Sequence, residues 1–332
     1  TGSNGKTTIK ELLYHVLSNQ HKCECSIDNH NNKIGIPLSI FSMDPFSEIV
    51  ILEMGTSAPG ELQQLCNMIN PDIGIITNIS ESHLESFKNV NNIAIEKSSL
   101  FDSLSNDGIA FVNMDDAFIS HMSTNAKKIT YSFNVPSNYN GKYQNDEILI
   151  NDNKIKIPYG GKAMAENVIA TFSICSYLGL TYSKTIELIE SFNAPKGRGK
   201  IYFSNQYTII DDCYNANPVS IKEGIKRLAL YDTKYRRIAV IGDMLELGDN
   251  SKELHSQIGF YITEFYIDAI FTYGNHSKNI NKILISKGYN SWHFINQDTL
   301  LENLLEYLNP NDVIYFKGSR GMHLEKIISG IT

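Results

Sequence analysis

The chain has 332 residues, of which 42% are hydrophobic and 20% are charged, and this is enough apolar material for about two globular domains. The 36 acidic residues outnumber the 29 basic ones, and the formal net charge of −7 disfavours a general nucleic-acid binder. Because there is no membrane-length apolar run or signal-peptide pattern, and the five cysteines are scattered as reduced thiols would be, we expect a soluble cytoplasmic protein without membrane insertion.

The first half alternates short apolar runs with longer segments of helical periodicity, which is typical of βαβ units and a mostly parallel sheet. We predict buried strands at 48–53, 72–77 and 108–112, and helices at 9–18, 59–69, 91–104 and about 164–178. The pattern changes over 127–158, where two short apolar runs flank Asn151-Asp152-Asn153. This segment predicts an antiparallel hairpin attached to the parallel sheet.

A stretch rich in Gly and Pro, 194–199, is the best candidate for a linker. We place the domain boundary near residue 196, which gives a first domain of 1–196 and a second of 197–332. The alternation then restarts, and it predicts strands near 206–211, 237–242, 267–273 and 312–317, with helices near 218–230, 249–263, 276–287, 298–308 and 320–329. Trp292 is expected in the core.

The sequence opens on Thr1-Gly2-Ser3-Asn4-Gly5-Lys6-Thr7-Thr8, directly before a predicted helix. Two glycines let the backbone curl so that successive N–H groups point at one anion, and the helix N-terminus adds its dipole. In such a loop Lys6 reaches the β- and γ-phosphates of ATP, and the Thr7 hydroxyl can bind Mg²⁺. The alternative is a Gly-rich turn before an ordinary helix. The predicted nucleotide-binding residues here are Gly2, Ser3, Asn4, Gly5, Lys6, Thr7 and Thr8.

Three residues beyond this loop are candidates for metal or catalytic chemistry. Glu53 ends the predicted strand at 48–53, and carboxylates at the C-terminal ends of parallel strands lie where α/β sheets bind ligands. Beside a phosphate loop it is expected to bind Mg²⁺, although a surface glutamate is the alternative. His83 follows the next strand, where a packing role competes with a functional one. Lys97, on the predicted helix at 91–104, looks like solvated surface from its pattern alone.

Two polar turns in the second half also follow predicted strands. Asp212-Cys213-Tyr214-Asn215-Ala216-Asn217-Pro218 favours a site over structural Asx-turn chemistry, and Pro218 suits the first turn of a helix. Lys317-Gly318-Ser319-Arg320-Gly321 is a donor-rich turn suited to a carboxylate or phosphate. His255, on the predicted helix at 249–263, is ambiguous. The fold class that these patterns predict is α/β, with a P-loop-type, mostly parallel ATPase domain followed by a smaller Rossmann-like domain.

Taken together, these segments resemble the Mur ligases, the ATP-dependent amide-forming enzymes of peptidoglycan synthesis. The most specific segments are 212–218, Gly242-Asp243-Met244-Leu245-Glu246-Leu247-Gly248 and 317–322, and the resemblance covers essentially the whole chain. It implies the central and C-terminal domains of the family, with the UDP-sugar-binding domain and the strand before the phosphate loop outside this sequence. The implied reaction joins D-alanyl-D-alanine to a UDP-muramoyl tripeptide through an acyl phosphate.

The resemblance also implies roles for individual residues. The implied catalytic residues are Lys6, Glu53, His83 and Lys97. Two Mg²⁺ ions are implied, with Thr7, Glu53, His83 and a carbamylated Lys97 as the ligands. Further ATP contacts are implied for Asn167, Arg198, Asp212, Tyr214 and Asn215. Substrate contacts are implied for Asn31, Asn32, Asn217, Lys317, Ser319 and Arg320.

The implied partners are small-molecule substrates, the UDP-muramoyl peptide and D-Ala-D-Ala, bound by a monomer that closes about Gly197–Gly199. Two alternatives stay open: a Mur-type ligase with a different acceptor, and a non-catalytic nucleotide-binding partner without the UDP-sugar domain. The chain departs from the family at Ala163 and Ser99, where a His and a Glu are common. These departures bear on the nucleotide and metal environment.

Overall fold

The computed structural model describes residues 1–159, 161–204, 206–232 and 234–332. It divides into two compact units, Thr1–Asn193 and Ala194–Thr332. Both units are α/β, with mostly parallel sheets, and this confirms the predicted fold class. Among the described residues there is no helix with the length and apolar character that crossing a bilayer requires.

The first unit contains a small parallel sheet and a larger mixed one. Its strands are β1 Cys23–Cys25, β2 Ile49–Ile51, β3 Ile73–Ile75, β4 Ile109–Asn113, β5 Lys127–Ser132, β6 Tyr139–Gln144, β7 Glu147–Ile150 and β8 Asn153–Lys156. β1 pairs with β2, and the larger sheet runs in the order β3-β4-β5-β6-β7-β8, parallel as far as β6 and antiparallel after it. The predicted strands at 48–53, 72–77 and 108–112 are confirmed as β2, β3 and β4.

The predicted hairpin is confirmed as β7 and β8. Its turn residues Asn151 and Asp152 both have positive φ, 44° and 67°, which is the left-handed backbone of the tight turns that match strand twist. Asn and Asp tolerate this conformation better than other side chains with a Cβ. Ile148, Ile150 and Ile155 are fully buried, so alternate positions of the hairpin close one side of the core.

The helices of the first unit cover these sheets. They are α1 Lys6–Leu17, α2 Gly35–Ser42, α3 Glu61–Ile69, α4 Leu84–Phe87, α5 Val90–Asp102, α6 Lys162–Tyr177 and α7 Tyr182–Glu190. The predictions at 9–18, 59–69, 91–104 and 164–178 correspond to α1, α3, α5 and α6. The helices α2, α4 and α7 were not predicted. In α2, Gly35 and Pro37 look like helix breakers, although Pro is tolerated in a first turn. The core joins α1 and α6 to the larger sheet, so the start of α1 is held firmly.

The second unit is one sheet flanked by helices. Its strands are β9 Lys200–Phe203, β10 Thr208–Asp212, β11 Arg237–Gly242, β12 Ala269–Tyr273, β13 Ser291–Phe294 and β14 Val313–Lys317. The order is β13-β12-β11-β14-β10-β9, parallel except for β9. The helices are α8 Pro218–Ala229, α9 Ser251–Ile262, α10 Lys278–Ser286, α11 Gln297–Tyr307 and α12 Glu325–Ile331. Consequently, the ends of β10, β11 and β14 lie side by side.

Two predictions about the second unit are wrong. Trp292 is not in the core, because it lies on the edge strand β13 with 39% of its surface exposed and packs against Phe271 at 5.0 Å between ring centroids. The helix predicted at 320–329 starts late, because a short 3₁₀ turn at Arg320–Met322 and the left-handed His323 (φ 50°) precede α12. The turn after β14 is therefore longer than expected.

Candidate active site

The first eight residues form a tight loop whose two glycines cannot be replaced without a clash. Gly2 and Gly5 have φ of 149° and 81°. A Cβ on Gly2 would lie 1.8 Å from Thr77 Oγ1, and a Cβ on Gly5 would lie 2.6 Å from Asn167 Oδ1. Gly5 directly precedes α1, and no side chain caps this helix. A curled glycine loop before an uncapped helix fits the phosphates of a nucleotide.

Hydrogen bonds fasten this loop to the segment after β3. Ser3 Oγ accepts from the Ser80 N–H at 2.9 Å, and the Asn4 N–H donates to Asn78 Oδ1 at 3.0 Å. Thr77 Oγ1 donates to the Asn4 carbonyl. The side chain of Ser3, which was predicted to contact the nucleotide, is therefore an anchor of the loop, whose shape is fixed by these contacts.

Other predicted residues lie in or beside the loop. Lys6 Nζ donates to the Gly2 carbonyl at 2.8 Å, so the ammonium group folds back over the loop. Thr7 and Thr8 are buried in the first turn of α1. Asn167, on α6, faces Gly5. These contacts bring the predicted phosphate loop together with the residue that was predicted to contact adenine.

His83 lies three residues beyond Ser80, which holds the loop through Ser3. It has a positive φ of 51° and directly precedes the short helix α4. A left-handed backbone is uncommon for a histidine and is typical of turns and functional sites. The structure thus places His83 in the same segment that fastens the phosphate loop.

Glu53 is joined to a residue that was predicted to contact the substrate. It lies two positions after β2, is 4% exposed, and its Oε1 accepts from Asn31 Nδ2 at 2.8 Å. The Asn31 carbonyl accepts from the Gly55 N–H at 2.7 Å. Asn32 instead holds the turn before α2, because its Oδ1 accepts from the Ile34 N–H at 3.0 Å and the Gly35 N–H at 2.9 Å. The predicted metal and substrate residues therefore meet at Glu53 and Asn31, while Asn32 has a local structural role.

Lys97 is 3% exposed on α5, so the solvated surface position that its pattern indicated is wrong. Among the described residues, Nζ has no hydrogen-bond acceptor. Burial, helped by the charge of Lys6, lowers the pKa of Lys97 to about 7. The adjacent Glu96, which the sequence analysis did not single out, is occupied elsewhere: it accepts from Thr56 Oγ1 and from the N–H groups of Gly60 and Leu62. Lys97 is therefore a buried amine whose charge is poorly stabilised.

The magnesium prediction is compatible with these residues. Across the described residues, no three His, Cys, Asp or Glu side chains gather as in an all-protein metal site. Magnesium usually takes one or two protein carboxylates and completes its shell with water and substrate phosphates. A buried Glu53 and a Thr7 hydroxyl at the phosphate loop fit that kind of site.

In the second unit, two predicted residues form an ion pair. β10 and β14 are paired in parallel with Asp212 opposite Lys317, and Lys317 Nζ lies 2.7 Å from Asp212 Oδ2. Tyr315 OH donates to the same oxygen at 3.0 Å. The sequence analysis missed Tyr315, although its spacing of two residues from Lys317 puts both side chains on one face of the strand.

Arg198 and Tyr214 stack on one another, with Arg198 Cζ 3.6 Å from the ring centroid. Asp211 secures the backbone beside them, because its Oδ2 accepts from the Gly197 N–H at 3.1 Å. The Tyr214 N–H also donates to the Gly197 carbonyl at 3.1 Å. Asp211 was not predicted as a site residue. Its place directly after the two buried isoleucines of β10 is the signal that could have found it, because a carboxylate that continues a buried strand must be hydrogen-bonded.

Several residues that were predicted to contact substrate hold the backbone. Asn217 Oδ1 accepts from the Ser220 N–H at 2.9 Å and forms a capping box on α8, whose first residue is Pro218 as predicted. Ser319 Oγ accepts from the Leu245 N–H at 2.9 Å. Arg320 is largely exposed and pairs with Glu325, and Asn215, which was predicted to contact ATP, is exposed as well. Of these residues, Arg320 and Asn215 are therefore the most accessible to a ligand.

The loop after β11 is organised by two buried polar groups. The Asp243 carboxylate accepts from the N–H groups of Asn275, His276 and Ser277 before α10. His255 is fully buried, and its Nε2 accepts from the Met244 N–H at 3.0 Å. Burial lowers the pKa of His255, which favours the neutral ring that this hydrogen bond needs. The ambiguous His255 therefore has a structural role.

Comparison with known proteins agrees with this arrangement. Residues 1–175 match the Mur ligase middle domain, and residues 197–320 match the Mur ligase, glutamate ligase domain. The UDP-N-acetylmuramoyl-tripeptide–D-alanyl-D-alanine ligase of Bacillus subtilis is 32% identical over 100% of this chain and 74% of its own length. The chain belongs to the Mur ligase family. This result confirms the resemblance on which the sequence analysis relied.

Solved structures of Mur ligases share the fold. MurF of Thermotoga maritima, crystallised with ADP, has a TM-score of 0.87 and 25% identity over 99% of this chain and 77% of that one. MurF of Acinetobacter baumannii has a TM-score of 0.89 and 23% identity over 99% and 74%. The chain thus spans about three quarters of the length of these relatives.

Proposed function

We propose that this Mur ligase chain carries out ATP-dependent amide formation between a UDP-N-acetylmuramoyl tripeptide and D-alanyl-D-alanine in peptidoglycan precursor synthesis. The match of the whole chain to the Bacillus subtilis ligase of that name is the observation that carries this proposal. The ATP γ-phosphoryl group goes to the tripeptide carboxylate and ADP leaves. The amine of D-Ala-D-Ala then attacks the acyl phosphate, forms the amide, releases phosphate and loses a proton. The proposed setting is a monomer in the cytoplasm.

The phosphate loop is the part of the chain that would bind the ATP phosphates. Its N–H groups, the N-terminus of α1 and the Lys6 ammonium provide positive charge where negative charge must be neutralised. The loop is already shaped by its contacts with the segment after β3. This preorganisation means that little reordering is needed when the nucleotide binds.

The proposed Mg²⁺ ligands are Thr7, Glu53, His83 and a carbamylated Lys97. When bound, the metal would neutralise phosphate charge during phosphoryl transfer. Asn31 orients the Glu53 carboxylate through the hydrogen bond to Oε1. In this proposal Asn31 therefore orients a metal-binding carboxylate and also contacts the muramoyl substrate, together with Asn32.

Carbamylation of Lys97 is supported by its burial and its lowered pKa. Only the neutral amine attacks CO₂, so the ammonium group first loses a proton. The new N–C bond then forms at Nζ and a second proton is lost, so that overall a cation becomes an anion. A pKa of about 7 leaves much of the amine neutral near pH 7. The change also replaces a poorly stabilised buried charge with one that a metal can stabilise.

In the second unit we propose that Asp212 faces the ribose of the nucleotide, with Arg198, Tyr214 and Asn215 nearby; Asn167 in the first unit faces adenine. For the acceptor, the exposed guanidinium of Arg320 suits the carboxylate of a dipeptide, since Arg binds carboxylates in bidentate fashion. The other proposed acceptor residues are Asn217, Lys317 and Ser319.

The test is phosphate release with ATP, Mg²⁺ and the UDP-muramoyl tripeptide, in the presence of D-Ala-D-Ala, D-glutamate or diaminopimelate. The assay is run on this chain and on a version extended by its upstream reading frame. Release that requires D-Ala-D-Ala supports the proposal. Release with another acceptor instead would indicate a Mur ligase of different specificity. Nucleotide binding without release in both versions would indicate a non-catalytic partner.

A further inference from the structure

A glycine inside a helix and a fully buried tyrosine contact each other next to Asp212. Tyr315 is the central residue of β14 and is 1% exposed. Its hydroxyl donates to Asp212 Oδ2 at 3.0 Å, and Lys317 Nζ lies 2.7 Å from the same oxygen. Asp212 Oδ2 is therefore held by two donors from one face of β14, and the two donors are two residues apart.

Gly224 leaves the space that the Tyr315 side chain occupies. It lies in the middle of α8, where glycine is less favourable than alanine. A Cβ at this position would lie 1.7 Å from the Tyr315 hydroxyl oxygen and 2.1 Å from its Cζ. Because Tyr315 is fully buried, its ring has no room to move aside. After proline, glycine is the least favourable residue in a helix, and α8 has it at the position next to the hydroxyl that donates to Asp212.

The second carboxylate oxygen of Asp212 is in a different situation. Among the described residues, no donor is bound to Oδ1, and 22% of the side chain is exposed. A carboxylate with one oxygen fixed by two donors has a defined rotamer, so its other oxygen presents a defined acceptor direction. Burial, together with the nearby Asp212 charge, raises the pKa of Tyr315 well above its usual value, so its hydroxyl keeps its proton.

We propose that Tyr315 is a positioning residue that orients Asp212 Oδ1 to accept a hydrogen bond from a sugar hydroxyl of the nucleotide, and that Gly224 is present to make room for it. The inference rests on the proposed function, which places Asp212 at the ribose. It adds two residues from β14 and α8 to the nucleotide site, neither of which would touch the nucleotide. It also commits the site to a ligand with a hydroxyl donor on its sugar.

The experiment is calorimetric titration of the whole 332-residue chain with ADP and Mg²⁺, repeated with 2′,3′-dideoxy-ADP. Tyr315→Phe removes one oxygen and keeps the ring. We expect it to weaken ADP binding about fivefold, because the bond from the sugar hydroxyl to Asp212 is less well oriented but not removed, and to leave dideoxy-ADP binding unchanged. The matched control is Tyr289→Phe, because the Tyr289 hydroxyl donates to the carbonyls of Thr263 and Phe265 and makes no contact with Asp212.

Three outcomes separate this inference from the proposed function. If Asp212→Asn leaves ADP binding unchanged, the placement of Asp212 at the ribose and the positioning role of Tyr315 are both wrong, while the ligase activity is judged separately by phosphate release. If Asp212→Asn weakens ADP binding but Tyr315→Phe does not, only the positioning role is wrong. Equal loss of ADP and dideoxy-ADP binding in Tyr315→Phe would show a purely structural role and would overturn the inference. In the double variant, Tyr315→Phe should add no further loss to Asp212→Asn.

Discussion

Two buried lysines, Lys97 in the first unit and Lys317 in the second, have opposite surroundings. In the first unit Lys97 is buried beside the charge of Lys6, and no acceptor for its Nζ lies within the described ranges. In the second unit Lys317 is equally buried but lies 2.7 Å from an Asp212 oxygen. A buried charge is tolerated when it is paired and is otherwise suppressed by a pKa shift. The first lysine is therefore a partly neutral amine near pH 7, whereas the second is a paired cation that holds a carboxylate in place.

The largest expected effect concerns the phosphate loop. Lys6→Ala should lower acceptor-dependent phosphate release by about 10²- to 10³-fold, since it removes a positive charge from the transferring phosphoryl group. Thermal unfolding should change little. Lys127→Ala, at an exposed position that starts β5, is the matched control and should keep full activity. Comparable activity in the two variants would contradict the assignment of the phosphate loop.

The next effect concerns stability in the second unit. Gly224→Ala should destabilise the protein by about 3 kcal/mol in urea unfolding, because the new methyl group collides with the buried Tyr315 ring. Adding Tyr315→Leu should recover part of that loss, since the smaller side chain leaves space for the methyl group. A single Gly224→Ala variant that is as stable as the parent would show that the two residues are not in contact as described.

Because the pKa of Lys97 is lowered, the stability of the protein is expected to rise with pH. Its pKa of about 7 lies below the ordinary lysine value, so between these two values the unfolded chain binds more protons and stability must rise with pH. From about pH 6 to about pH 9 the gain is about 3 kcal/mol. Urea unfolding in CO₂-free buffer, compared with Lys97→Met, measures it. The variant should be the more stable one at the acid end, and its advantage should shrink as the pH rises.

Lys317→Met should lower the stability of the protein, in contrast to Lys97→Met. It leaves Asp212 with only the Tyr315 hydroxyl, at a cost of about 1 kcal/mol, reduced because the Asp212 side chain is partly exposed to water. Urea unfolding at about pH 7 gives the value directly. If Lys97→Met and Lys317→Met shift stability in the same direction, the distinction between the two lysines is wrong.

The sequence predicted the features that depend on local pattern. The phosphate loop, the hairpin β7–β8, the strands β2, β3 and β4 and the inner strands of the second unit follow from glycine spacing, turn residues and apolar runs, whereas β5 and β6 were not predicted. The edge strands β9 and β13 were missed because they are short and partly exposed, so their apolar pattern is weak. Trp292 was misplaced for the same reason.

The rest depends on contacts between distant parts of the chain. Glu53 and Asn31 are 22 positions apart, and Tyr315 and Asp212 are 103 positions apart. Spacing along one sequence gives no sign that these pairs meet. The burial of Lys97 was equally hidden, because a single lysine in a helical pattern is usually exposed. The resemblance to a family supplied its proposed role, and the structure supplied surroundings that are compatible with that role.

The fit between Gly224 and Tyr315 has an evolutionary consequence. A lineage that starts from this sequence can exchange Tyr315 for a smaller residue first, leaving a cavity, and then accept alanine at 224. The reverse order passes through an intermediate in which a methyl group and an aromatic ring claim the same space. We therefore expect substitutions at these two positions to occur in one order. Among homologues, a residue larger than glycine at position 224 should occur with a residue smaller than tyrosine at position 315 more often than with tyrosine.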